Sequence, residues 1–446
     1  MTGGKIAPPR PSTIPHPSPR HDEIRGSQAP PGPGNDDTTS GRADRDRADA
    51  HQPKSATGSQ ADRLSAAHAA FRKWLGSDYD MGVLNAVLAA AASNKLDGDP
   101  VWLLVIGGSG NAKTETVSSL RGAGAYVTST IASEGALLSA TASKERSNTA
   151  TGGLLRSLGK RSVLVLKDFT TILSMSDRNS RSAVLAALRE IYDGYWQRNV
   201  GSDGGQSLEW KGTITLIGAC TTAWDSAHAV VALMGERFVL VRSDARNSEA
   251  RLKAGRQAIM NTGHETEMRE ELEASVKLVL RGINKTVEFS LSGDEEELIL
   301  RAANLVTFAR TAVEYDHRGK LTYVHAPEAP TRFAKELTQL ARGALAIGLD
   351  RHSAIKLALR CAKDSMPPLR LACLLDIAHH GQSSIQEVRQ RIQQPWSAVE
   401  RHLQALHGLG LLTMNDPPTT KRINTTTGFY SLADGIDRET LLQMGG

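Results

Sequence analysis

From Ala61 onward apolar residues recur at helical spacing: first Leu64, Ala67, Phe71, Trp74 and Leu75, then Met81, Leu84, Val87 and Leu88. That period predicts amphipathic helices. The pattern then changes to a continuous apolar run, Val101-Trp102-Leu103-Leu104-Val105-Ile106, ending at Gly107-Gly108. A strand buried on both faces reads this way, because neither face alternates with polar residues. Further short runs follow at Ala125–Ile131, Ser162–Leu166, Thr213–Ala219 and Phe238–Val241, separated by helical stretches such as Asn179–Tyr192. Strands alternating with helices need crossover connections, so residues 99–243 are expected to form a parallel sheet with helices on both faces, an α/β fold. After Ser243 the strands stop. Residues 244–366 carry helical periods, among them Asp294–Val313 and Ala329–Ile347. Pro367-Pro368 opens a last compact unit, 367–446, and residues 59–98 form a helical lead-in to the sheet.

Composition sharpens this division. Of the 18 prolines, 10 lie within the first 53 residues, together with Asp36-Asp37 and the charged stretch Arg42 to Asp49. Such a segment buries too little apolar surface to offset the entropy of ordering, so residues 1–58 are expected to be a disordered tail. Aromatics make up 4% of the 446 residues, which argues against an aromatic stacking surface as the main binding device. The net charge of +5 permits a nucleic-acid partner without requiring one. Cys220, Cys361 and Cys373 form no CxxC pair, which disfavours disulfide scaffolds and zinc modules and fits a reducing, cytoplasmic setting. No apolar run reaches the length of a membrane helix, and the first residues lack a secretory signal, so no membrane association is expected.

The chemistry concentrates after the first strand, in Gly107-Gly108-Ser109-Gly110-Asn111-Ala112-Lys113-Thr114. Nucleotide phosphates need a loop whose backbone N–H groups point inward. They also need a lysine for the terminal phosphates and a hydroxyl for magnesium. Gly107, Lys113 and Thr114 have the spacing Gly-x4-Gly-Lys-Thr, with Ala112 in place of the second glycine. The segment resembles a Walker A loop with that one departure. Downstream, the apolar run Ser162–Leu166 leads through Lys167 to Asp168. A strand-end carboxylate there resembles Walker B and would hold the magnesium shell through water together with Thr114. Phe169 stands where many such ATPases carry the glutamate that polarises water. Glu134, after the run Ala125–Ile131, and Glu190 in the helix after Asp168 are the candidates for that task. Each also reads as a solvated helix residue.

Taken in order, these motifs resemble the AAA+ ATPases, in particular their helicase and replication-associated branches of phages and mobile elements. The resemblance covers roughly 99–366. Tyr195–Lys211, rich in Gly and Ser between Trp196 and Trp210, lies where helicase-type members insert a DNA-facing β-hairpin. Thr221 or Thr222 would be sensor 1, which contacts the attacking water or terminal phosphate. Met234-Gly235-Glu236-Arg237-Phe238 matches the Arg-Phe box, which implies that Arg237 reaches a neighbouring subunit's nucleotide and that the active form is a homo-oligomer such as a ring. Ala329-Pro330-Thr331-Arg332-Phe333-Ala334 is similar to sensor 2, with Arg332 as the arginine of a helical lid spanning 244–366.

In 367–434 a helix through Arg370–Ala378 stops at Gly381, Ser383/Ser384 caps Ile385–Ile392, and Pro395 opens Trp396–His407. Leu411–Met414 and Phe429–Leu432 then form two strands joined by a polar loop. This resembles a winged helix-turn-helix. Trp396, Val399, Leu403 and Leu406 form its core stripe; Ser397, Glu400, Arg401 and Gln404 lie on other faces, free to enter a major groove. Lys421 and Arg422 sit in the wing, suited to phosphate. The expectation is a P-loop NTPase core with helical lid and winged helix, binding ATP and Mg2+ and acting on DNA as a helicase-like motor or switch. Its alternatives are a nucleotide-gated DNA-binding regulator that hydrolyses little or nothing, and a scaffold with a vestigial loop.

Overall fold

The structure is a computed structural model that describes residues 58–140, 152–201, 205–232, 236–243, 248–285, 289–415 and 428–445. The expected tail up to residue 57, the wing residues Lys421 and Arg422, and Met234-Gly235 lie outside the described residues. Ser59 opens the first helix, α1 (Gln60–Leu75), with a capping box: its hydroxyl accepts from Asp62 N and its own N–H donates to the Asp62 carboxylate. Helix α2 (Met81–Ser93) follows, capped by Asp80.

The centre of the molecule is a five-stranded sheet. It comprises β1 (Leu103–Gly107), β2 (Tyr126–Thr128), β3 (Arg161–Leu166), β6 (Thr213–Cys220) and β7 (Val239–Ser243). The order is β2-β3-β6-β1-β7, and every neighbouring pair is parallel. Alternate side chains feed two separate cores. Leu103, Val105, Val165, Ile217, Val239 and Val241 join one; Leu104, Ile106, Leu164, Leu166, Leu216 and Leu240 join the other. This is why β1 is apolar at every position: each full burial of such a side chain contributes roughly 1.5–3 kcal/mol on either face.

The connections carry α3 (Lys113–Ser118) with a 3-10 turn to Ala123, then α4 (Glu134–Leu137) and α5 (Leu154–Leu158), then α6 (Thr170–Leu173) and α7 (Arg178–Tyr192). Between α7 and β6 an antiparallel hairpin, β4 (Tyr195–Val200) with β5 (Gln206–Lys211), sets Trp196 opposite Trp210. Helix α8 (Ala223–Ala232) precedes β7.

After β7 come α9 (Ser248–Met260), α10 (Glu265–Arg281), α11 (Gly293–Ala309), α12 (Thr331–Ala346) and α13 (Arg351–Asp364). This stretch is not purely helical. A second hairpin, β8 (Val313–Tyr315) and β9 (Leu321–Val324), separates α11 from α12. The helical period that would have run to Val313 stops at Ala309, and the alternation beyond it is strand. The chain ends with α14 (Pro368–His380), β10 (Ser383–Ser384), α15 (Ile385–Ile392), α16 (Trp396–Gly408), β11 (Leu412–Asn415), β12 (Phe429–Leu432) and α17 (Arg438–Gly445), the last outside the expected pattern. Strands β10, β12 and β11 pair antiparallel in that order. On α16, Val399, Leu403 and Leu406 are fully buried as expected, but Trp396, in the first turn, is 37% exposed.

Helix α12 lies against α2 through small residues. Ala341 and Ala344 on one and Ala89 to Ala92 on the other are nearly or fully buried. A Cβ placed on Gly343 would overlap the Ala89 carbonyl oxygen. Gly343→Ala should therefore force the helices apart and lower stability by about 1–3 kcal/mol, the usual cost of overpacking. Chemical denaturation of the variant checks this, and an unchanged midpoint would contradict the packing described.

Candidate functional site

In a parallel sheet all strand C-termini share one edge, and loops leaving that edge gather side chains from separate stretches of sequence. Here β1 delivers the glycine-rich loop, β3 delivers Asp168 and β6 delivers Thr221. All border one depression of about 490 Å3, lined by Ser109 to Glu115, Lys167, Asp168, Thr170 and Ala219 to Thr221.

The loop is shaped by its backbone. Gly107 is opposite Ser243 of β7, and a Cβ there would stand 2.5 Å from the Ser243 carbonyl oxygen, so no side chain is tolerated. Gly110 has φ +84. Ala112 has φ 52, the left-handed region in which glycine is at ease and alanine is strained by roughly 1 kcal/mol. The departure from glycine seen in the sequence therefore falls at a position where glycine would be the relaxed choice. Asn111 Nδ2 donates to Ser243 O at 3.0 Å and ties the loop to the end of β7.

Lys113, 8% exposed, folds back so that its ammonium donates to the Gly108 carbonyl. Burial lowers its pKa, and electrostatic interaction with Cys220 and Asp168 pushes it back up. A lysine held by a carbonyl and not by a carboxylate keeps its charge available to an anion arriving in the depression. Burial also pushes the Cys220 thiol up to about 11. Thr114 is exposed. Asp168 is exposed too; its carboxylate accepts from Thr170 N at 3.0 Å and Thr171 Oγ1 at 2.8 Å. Thr221 N donates to Thr170 Oγ1 at 3.0 Å, which places Thr221, not Thr222, on the depression. Thr170 was not anticipated; its hydroxyl bridges the ends of β3 and β6, a role with no spacing signal. Among the described residues no group of three or more His, Cys, Asp or Glu is arranged to hold a metal. Thr114 and Asp168 offer one hydroxyl and one carboxylate, a hard-oxygen pair that suits magnesium when phosphate and water complete its shell.

The other expected residues lie elsewhere. Phe169 is a core anchor, edge-on to Phe238 at 5.2 Å. Glu134 does not line the depression; Arg198 of β4 bonds its carboxylate at 2.9 and 3.1 Å. Glu190 stands beside Arg189 near the end of α7. Arg237 precedes β7 and so sits at the opposite edge of the sheet from the loop, bonded to Asp193 at 3.0 Å. Arg332 shares that edge: it donates to Glu236 O at 3.2 Å and pairs with Glu328. A five-residue strand separates the two edges by about 16 Å. The structure therefore does not bring Arg332 to the loop, where a lid arginine was expected. It joins the Arg237 segment instead, through Arg310, which reaches both Glu236 at 3.1 Å and Glu328 at 3.2 Å.

On the outer face of α16, Ser397 and Arg401 are exposed and Gln404 is half-buried. A second depression, about 340 Å3, opens behind the loop between Tyr79, Asn111, Ser243 and Ala254. A larger cavity, about 740 Å3, lies away from the loop between α2, α13 and α14. Its Arg360 and Arg242 are bound to Asp80 and Asp225, and the motif-bearing depression is the smaller of the two. No helix among the described residues is long and apolar enough to cross a membrane.

No family model matches the chain, and no curated protein matches it. Among solved structures it is similar to "the A form apo structure of NrS-1 C terminal region-CTR", with 12% identity over 83% of this chain and 75% of that one, at a TM-score of 0.25. It is also similar to the A form of "NrS-1 C terminal region-CTR(305-718)", with 11% identity, the same coverage and a TM-score of 0.25.

Beside Arg332, Glu336 is 3% exposed, with Tyr192 donating its hydroxyl to the carboxylate. Burial raises its pKa to about 7 from an ordinary value of 4.5. The folded protein thus holds this proton more tightly than the unfolded chain. The stability it contributes is present below about pH 4.5 and is lost as pH rises through about 7. Glu336→Gln keeps an acceptor for Tyr192 but does not titrate, so its melting temperature should fall less between about pH 5 and pH 8 than that of the unsubstituted protein. Parallel pH profiles would refute the assignment.

Proposed function

We propose that the chain is an ATP-binding P-loop protein of the AAA+ type that acts on DNA, with α9–α13 as its lid and α14–β12 as a winged helix. The observation that carries this reading is the convergence of Lys113, Asp168 and Thr221 from three strand ends on one depression, beside a glycine-rich loop. ATP phosphates would lie along Gly107–Ala112, with Lys113 leaving the Gly108 carbonyl for the terminal phosphates. Magnesium, supplying charge neutralisation between the phosphates, would be held by Thr114 and Asp168. Thr221 would orient water at the terminal phosphate. The depression behind the loop has room for a nucleobase against Tyr79.

In this reading Arg237 serves the nucleotide of a second copy, because it stands at the far edge of its own sheet. A homo-oligomer follows, and Arg332 belongs with Arg237 on the surface offered to the neighbour. A second reading is a nucleotide-gated DNA-binding regulator with little hydrolysis. The pairing of Glu134 with Arg198, and the burial of Phe169 in the core, favour it, because neither position then offers a free carboxylate to the attacking water.

Lys113→Ala should weaken ATP binding about 10- to 100-fold, the loss expected for a charge-assisted bond worth roughly 1.5–3 kcal/mol. Calorimetric titration measures this, and unchanged affinity would sink the P-loop assignment. Asp168→Asn should spare binding more than turnover. ATPase rates with and without DNA separate the readings: stimulation by DNA supports the motor, whereas binding without turnover supports the regulator. In the motor, Arg237→Ala should lose activity while keeping ATP affinity.

A further inference from the structure

The hairpin β8–β9 lies along α16, the helix read above as the DNA-facing one. The Arg401 guanidinium stacks over the Tyr315 ring at 5.2 Å, and the Tyr315 hydroxyl donates to the Arg401 carbonyl at 3.3 Å. Farther along the helix, a Cβ on Gly408 would meet Leu321 at 2.8 Å and Val324 at 3.0 Å. The tip of the hairpin therefore points toward the first half of α16, where a recognition helix meets base edges. Gly319 at the tip is within 3.1 Å of an Arg401 nitrogen, measured from the position of a Cβ.

The tip is held by its own acid. Asp316 Oδ1 accepts from Arg318 N at 2.9 Å and Lys320 N at 2.8 Å, while Gly319, at φ +78, donates its N–H to Asp316 O. The carboxylate is thus turned to the backbone, and the side chains of Arg318 and Lys320 are exposed. No ion pair joins Arg318, Lys320 or Arg401 to a carboxylate among the described residues, whereas exposed arginines elsewhere, such as Arg269, Arg301 and Arg351, are paired. The other acids nearby are engaged or withdrawn: Glu314 bonds His325 at 3.0 Å, and Glu400 is half-buried. On β9, Tyr323 is 56% exposed with His325 edge-on to its ring.

We propose that the tip of the β8–β9 hairpin is a second DNA-contacting element, in which Arg318 and Lys320 meet backbone phosphates beside Arg401 and Ser397 of α16. This rests on the DNA-binding reading above and assigns the contact to residues outside the winged helix. The occupant is DNA and not an acidic protein segment, because exposed cations with no carboxylate partner among the described residues, on the same hairpin as the exposed Tyr323 ring, suit phosphates flanked by flat bases.

The test uses the full chain and a double variant, Arg318→Ala/Lys320→Ala, with fluorescent single- and double-stranded DNA at several salt concentrations. Each lost phosphate contact removes about 0.9 from the slope of log K against log salt on duplex and about 0.7 on single strands. The double variant should therefore lose about 1.8 or 1.4 of slope and on the order of tenfold affinity, with an unchanged melting temperature. An unchanged slope, with binding lost instead in Lys421→Ala/Arg422→Ala, overturns the hairpin assignment and leaves the DNA-binding reading standing. Absence of DNA binding by the unsubstituted chain overturns both. Equal displacement of DNA by poly-glutamate, charge for charge, overturns the choice of DNA as occupant.

Discussion

The candidate site depends on how closely the end of β7 approaches the end of β1. Gly107 has no side chain, so the Ser243 carbonyl can come within a distance that any Cβ would block. The same carbonyl accepts from Asn111, four residues farther along the loop. One backbone oxygen therefore fixes both the closing pair of the sheet and the turn that follows it. The left-handed Ala112 and the folded-back Lys113 come immediately after that tie. Ser243 thereby constrains the loop just before Lys113. Because β1 sits inside the sheet and feeds both cores, it has no freedom to absorb a shift.

The opposite edge of the sheet is organised by charge. Arg310, 4% exposed, lies between Glu236 and Glu328 and over the Phe333 ring at 4.4 Å. Buried pairs of this kind contribute little net stability, yet removing one partner strands the other at a cost of about 3–5 kcal/mol. They therefore act as a registration device. Glu236 precedes β7, Glu328 precedes α12, and Tyr192 ends α7 and reaches Glu336. The helical block is thereby held against the sheet at one fixed place, and Arg237 and Arg332 are positioned together as a consequence.

How much of this was legible before folding depended on periodicity. The strands of the sheet were readable because residues such as Leu103 to Ile106 are apolar without interruption, a pattern that only burial on both faces demands. The hairpin β8–β9 was not, because Val313 also fits the end of the α11 period, and four residues of half-exposed strand carry too little alternation to stand out. Trp396 misled for a related reason: it continues the stripe of Val399 and Leu403, but a stripe has no way to record that burial lapses in its first turn. That Lys113, Asp168 and Thr221 would lie close together could be read because each ends a strand or its loop. Arg332 was placed by analogy of order alone, and order says nothing of which edge of the sheet a helix start will reach. The ties of Asn111, Thr170 and Arg198 had no sequence signal, since each is a contact across a large separation.

Parallel pairing itself explains which residues met. When every strand runs the same way, whatever follows a strand collects at one edge and whatever precedes a strand collects at the other. Lys113, Asp168 and Thr221 all follow strands; Arg237 and Glu236 precede β7, and Arg332 is bonded to their backbone. No bending of the loop can unite the two sets within one chain, because β1 and β7 are fully paired and separate them by about 16 Å. If both sets serve one nucleotide, as proposed, they must come from different copies. The requirement for an oligomer then follows from the direction of the strands, and it would hold whichever arginine at the far edge proves to be the one that reaches across.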